Sequence, residues 1–130
     1  NLTQKFTKRL AISNVNRSGN PKSMPEVLRD THNADPKIRA AALLQLCPCQ
    51  LRTNVKEAWI RHFEIIYDSD AKVRSIALHN LCDGSPTELE TNVVSAVEYL
   101  TKDTDKKIRR RARRVMAVYR RTGKINQDKA

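Results

Sequence analysis

With 130 residues, 39% apolar and only 5% aromatic, the chain suits one domain with a core of Leu, Ile, Val and Ala, and it is too poor in β-branched or aromatic runs to be built of strands. No apolar run reaches about 18 residues, which excludes a membrane span, and the three cysteines Cys47, Cys49 and Cys82 lack disulfide-dense spacing, which suits a reducing intracellular compartment. A formal net charge of +11 and a pI near 10.0 point to a polyanion, RNA or DNA, as partner.

Residues 1–23 form a basic tail with five Lys or Arg and no acid. Leu2, Phe6 and Leu10 fall at i, i+4 and i+8, the spacing of a short amphipathic helix, and a Ser/Asn/Gly linker follows. Such a tail reads three ways: an arm reaching into a complex, the remainder of an organelle-targeting region, or a disordered leader. If the tail derives from a targeting region, an organelle interior replaces the cytoplasm as the expected compartment.

From Met24 the chain repeats. "DPKIRAAALLQLC" begins at Asp35, "DAKVRSIALHNLC" at Asp70 and "DKKIRRRARRVMA" at Asp105, each 35 residues after the last with no gap. Asp35, Asp70 and Asp105 align, as do Arg39, Arg74 and Arg109, and a period of this length is the mark of stacked helical units. Ile38, Ala42 and Leu46, with their equivalents, lie on one helical face, so Ile38, Leu46, Val73, Leu81, Ile108 and Met116 are expected in the core. The aspartates fall where an N-cap or first-turn carboxylate meets unpaired backbone N–H groups.

A first helix precedes each of these. The segments "MPEVLRDTH", "NVKEAWIRHFEIIYD" and "TNVVSAVEYLTKD" align Met24, Trp59 and Val94, which predicts core rather than a stacking platform for Trp59, and His62 aligns with Val97 as a half-buried residue. "CPC" at Cys47 and "DGSP" at Asp83 punctuate the links. The predicted units are 24–49, 53–84 and 88–122, with 123–130 as a C-terminal tail.

The repeated Asp, apolar residue and Arg at the start of each second helix resemble the HEAT-repeat family, over about residues 24–122. The resemblance implies an all-α fold, a short right-handed α-solenoid of about three helix pairs, whose second helices line the concave surface. It leaves function open, because such repeats serve scaffolds, transport factors and nucleic-acid binders. Some alkylpurine DNA glycosylases are also built this way, but no local motif here carries over from them.

Repetition gives the Asp35, Asp70, Asp105 and Arg39, Arg74, Arg109 ladder a structural reading, with each Arg bonding to Asp or to backbone carbonyls between units. Cys47 and Cys82 share one repeat position, where Ala117 stands in the third unit, so they read as small packing residues and no metal site is expected; His79 is the nearest further ligand in register. No Ser/His/Asp or Cys/His pattern and no phosphate-cradling Gly loop appears, so neither an enzyme nor a cofactor is expected.

The segment "KKIRRRARRVMAVYRRTGK" from Lys106 to Lys124 holds ten Lys or Arg. With Ile108, Ala112 and Met116 inward, Lys107, Arg110, Arg111 and Arg114 fall opposite them. The same positions read Lys72, Ser75, Ile76, His79 one unit earlier and Lys37, Ala40, Ala41, Leu44 before that, a face grading from apolar to cationic. Arg120, Arg121 and Lys124 extend it, and Arg113 stands where Leu43 and Leu78 stand, toward an absent fourth unit. Two demands meet in this helix. Capping needs a polar end surface, and polyanion binding needs clustered cations. The expected protein is a scaffold module within a larger assembly, contacting nucleic-acid phosphate; the alternative is an adaptor for an acidic peptide or neighbouring subunit.

Overall fold

A computed structural model describes residues 15–47 and 55–126, and these hold six α-helices and no sheet. They are α1 (Met24–Asp30), α2 (Pro36–Gln45), α3 (Lys56–Ile65), α4 (Ala71–Cys82), α5 (Glu90–Leu100) and α6 (Lys106–Thr122), with a 3₁₀ turn over Thr87–Leu89 ahead of α5. The fold is all-α. Leu2, Phe6, Leu10, Cys49 and the end of the "CPC" link lie outside the described residues.

Local chemistry sets the helix starts. Ser23 and Glu26 close a capping box at α1, each side chain meeting the other's backbone N–H, with Pro25 in the first turn. The carboxylates of Asp35, Asp70 and Asp105 accept from the N–H groups of Lys37, Val73 and Ile108 at 2.9, 3.1 and 3.0 Å. Each thereby satisfies an orphan donor at its helix start. Helix α6 stops at Gly123, whose φ of 72° is the left-handed cap that glycine adopts without strain.

The helices pack in three pairs, α1 with α2, α3 with α4 and α5 with α6, and the further contacts run between consecutive pairs: α2 to α4, α4 to α6, α3 to α5 and α4 to α5. Leu43, Val73, Leu78, Leu81, Val93, Val97 and Leu100 are wholly buried between them. Ile38 is the exception to the expected core. It is only half buried, since Val73 and Ile108 belong to pairs with a preceding neighbour and α2 has none among the described residues.

The arginine ladder ties consecutive pairs together. Arg39 sets Nε and Nη2 on the two carboxylate oxygens of Asp68, both at 2.9 Å, while Nη1 reaches the Asn33 carbonyl at 2.8 Å. Arg74 repeats this with Asp103 at 2.9 and 3.0 Å and with the Asp68 carbonyl at 2.8 Å. The Asp103 bond raises the Arg74 guanidinium above its ordinary range, against a smaller opposing effect of burial. The partner acids are therefore Asp68 and Asp103, two residues before the capping aspartates. Arg109 keeps the backbone part of the pattern, Nη1 donating to the Asp103 carbonyl at 2.8 Å.

A second device joins three helices inside the core. His62, expected half buried, is 1% exposed. Its Nδ1–H donates to the Ala58 carbonyl at 2.7 Å, and Nε2 accepts from Asn80 Nδ2 at 2.9 Å, while the same amide nitrogen also donates to the Leu43 carbonyl at 2.8 Å. Two acceptors fix the orientation of the Asn80 amide, which leaves its Oδ1 without a partner among the described residues. Burial pushes the His62 imidazole down to about 4, so it is neutral at pH 7.

Candidate nucleic-acid interface

Helix α6 is 17 residues long and roughly 25 Å in length. Ile108, Ala112, Val115 and Met116 are its buried stripe. At about 100° per residue Arg110, Arg114 and Arg121 stand diametrically opposite, flanked by Lys106 and Lys107 on one turn and by Arg113 and Arg120 along the other edge. All seven of these cations are exposed. The helix carries no acidic residue, and the ion pairs of the described residues, Lys22–Asp30, Arg39–Asp68, Arg61–Glu64 and Arg74–Asp103, lie elsewhere.

The expected four-residue face loses one member. Arg111 is half buried and turns toward α4, its Nη2 at 3.5 Å from His79 Nδ1. Lys72, the equivalent of Lys107 one unit earlier, is exposed on α4, and so continues the cationic row away from α6. The apolar end of the expected gradient is not open surface. Ala40, Ala41, Leu44 and Ile76 are all buried, because α2 packs against α4 and α4 against α6 and each contact covers these flanks.

Capping and display separate on α6. Leu43 and Leu78 are buried between pairs, whereas Arg113 in the same register is exposed and donates Nε to the Thr101 carbonyl at 3.1 Å. In the first pair the matching carbonyl, that of Thr31, is taken by Arg61 of the following pair at 2.9 Å. Arg113 thus supplies from its own pair the donor that a further pair would supply. Glu98, likewise exposed, stands where Leu28 and Phe63 pack on the core.

Beyond the helix, Lys124 is exposed, and Ile125 and Asn126 turn back toward the start of α5 and the link before it. Ile125 is fully buried, its N–H donating to Glu90 Oε1, and the Asn126 side-chain amide accepts from the Ser85 N–H and hydroxyl and donates to the Ser85 carbonyl, each at 3.0 Å. This fastens the C-terminal end of α6. A lone Ile after the Gly123 stop is the signal the sequence offers for it.

Two tyrosines add a feature that repeat alignment conceals. Tyr67 and Tyr99 are 64% and 49% exposed, with ring centroids 4.6 Å apart. They line a surface cleft of about 570 Å³ together with Arg74, Lys102 and Arg120. In the repeat register Tyr67 matches Lys102 and Tyr99 matches Glu64, so the pair arises only where one unit meets the next. Its carboxylates are partly spoken for: Asp68 and Asp103 on the cleft wall are paired with Arg39 and Arg74, while Glu98 is exposed.

A further cluster lies where α2 and α4 end, joining Cys47, His79 and Asp83. Cys47 and Cys82 are both buried. No family model, curated protein or solved structure matches this chain. The reading of the basic helix therefore rests on its own geometry and charge.

Proposed function

We propose that this chain is a non-catalytic, HEAT-like module, a short right-handed α-solenoid whose last helix binds the phosphate backbone of RNA or DNA within a larger assembly. The solenoid reading is supported by contacts that run between consecutive pairs and by an Arg-to-Asp bridge recurring at the same offset of 29 residues. The observation that carries the binding reading is the solvent face of α6, where Lys106, Lys107, Arg110, Arg114, Arg120 and Arg121 converge without an ion pair to any described residue. Like charges one turn apart, such as Arg110 and Arg114, cost about 0.2–0.5 kcal/mol per pair. A mixed-charge cap would be as soluble without that cost. Phosphates remove it, because each neutralised cation releases a counterion from the nucleic acid.

The Tyr67–Tyr99 pair beside Arg120 and Lys102 adds a π-surface next to the cationic row, which suits single-stranded bases as well as duplex backbone. It is also the observation that favours the second reading. Exposed tyrosines next to arginine are common anchors of protein interfaces, so an acidic protein segment would find both charge and a hydrophobic anchor here. Competition separates the two. Purified chain loaded with a fluorescent generic single-stranded RNA or duplex DNA is expected to bind both in the low-salt range and to exchange label with excess unlabelled nucleic acid. Absence of binding to either at low salt would leave the adaptor reading in its place.

A further inference from the structure

His79 and Asp83 stand one turn apart at the C-terminal end of α4, so their side chains project to the same side. Cys47, just past α2, meets them from the preceding helix pair. Its Sγ lies 3.7 Å from His79 Nε2 and 3.3 Å from Asp83 Oδ2, and all three ligand atoms fall within 4.8 Å of one another. Ligands held at 2.0–2.3 Å around tetrahedral zinc are separated by roughly 3.3–3.8 Å. Two edges of the triangle already have that separation. Cys47 is 1% exposed while His79 and Asp83 are half buried, which makes a dry floor with an opening to solvent.

We propose that Cys47, His79 and Asp83 form a zinc site that staples the end of α2 to the end of α4. The donor set selects the metal: thiolate and imidazole favour zinc over magnesium or calcium, and a carboxylate is an accepted third ligand. The fourth position is left to water or another ligand. At the same repeat position Cys82 is buried outside the cluster and Ala117 is exposed, so what sets Cys47 apart is its meeting with His79 and Asp83.

The protons balance simply. Without metal, the Cys47 thiol donates to the Asp83 carboxylate, and Arg111, 3.5 Å from His79 Nδ1, donates there and leaves the ring proton on Nε2. Zinc takes the sulfur as thiolate and the Nε2 lone pair, so the ring proton moves to Nδ1, the thiol proton goes to solvent and Arg111 leaves the ring. One proton is released per ion. Affinity therefore rises about tenfold per pH unit while the thiol is protonated.

The test uses the full chain, stripped with a chelator and titrated with zinc chloride alone. One zinc per chain, about one proton released, and a thiolate-to-metal charge-transfer band when cobalt(II) replaces zinc are the expected results. Cys47→Ser, His79→Gln and Asp83→Asn should each weaken binding at least about 100-fold, because loss of an outer-shell partner alone costs 10–100-fold. His32→Gln, an exposed histidine outside the cluster, should bind as the parent does. If Cys47→Ser unfolds, Asp83→Asn at the half-buried edge decides. A parent that takes up no stoichiometric zinc, or an Asp83→Asn chain that binds it as tightly as the parent, overturns the site.

Discussion

The middle helix pair and the last are built on one template and use it differently. In α4, Arg74 is clamped on Asp103 of the next pair, and Leu78 and Leu81 are both fully buried. In α6 the same positions are Arg109, Arg113 and Met116, and the central one is an exposed arginine capping Thr101. The solvent row diverges further, from Lys72, Ser75 and His79 to Lys107, Arg110 and Arg114. Once a position no longer has a neighbour to pack against, its side chain is released from architecture, and on α6 nearly every released position is cationic. Packing explains the middle pair. It does not account for the charge of the last pair.

The largest effects should fall on the middle pair. Arg74→Ala strands the Asp103 carboxylate, 4% exposed, without its bidentate partner, and should cost about 3–5 kcal/mol in denaturant unfolding. Arg109→Ala, at the same repeat position but with only backbone acceptors among the described residues, should cost far less. Equal losses at the two sites would break the comparison. Leu81→Ala should cost about 2–5 kcal/mol, since the side chain is wholly enclosed.

Acid should strike the same region. His62 is held at about 4 in the folded chain, against 6.5 for an unperturbed imidazole. Between those values the unfolded chain takes up a proton that the folded chain refuses, so stability is full above pH 6.5 and is lost as pH falls toward 4, by on the order of 3 kcal/mol. Equilibrium unfolding of the parent and of His62→Gln across that range checks it, the variant being expected to lose most of this dependence. A smaller effect belongs to the end surface. Arg113→Leu should change stability by no more than about 0.5 kcal/mol, yet promote self-association detectable by sedimentation, because it restores an apolar position that neighbouring pairs bury.

The helix pairs and their caps were legible because both are local. Asp35, Asp70 and Asp105 each act on an N–H two or three residues away, and the apolar spacing of α4 and α6 follows from a single helix. What the sequence concealed lies between elements. Ala40, Ala41, Leu44 and Ile76 look solvent-facing on a single helix and are covered only when second helices pack side by side. Asn80 and His62 meet across 18 residues and two helices, and Tyr67 meets Tyr99 across a unit boundary that the repeat register does not respect. Helical spacing puts Arg111 on the cationic face, and the helix beside it draws the side chain toward His79.

A solvent face of α6 that serves phosphate binding, and not capping, makes binding sensitive to salt through its side chains. The direct measurement is the salt dependence of RNA and duplex DNA binding by the parent and by a chain with Lys107, Arg110, Arg114 and Arg121 all changed to Gln, four exposed residues that pack on nothing in the core. The account predicts unchanged or slightly raised stability, weaker binding, and a log–log salt slope flatter by about 3, from roughly 0.7–0.9 per lost phosphate contact. A variant that binds with the parent's affinity and slope would contradict it.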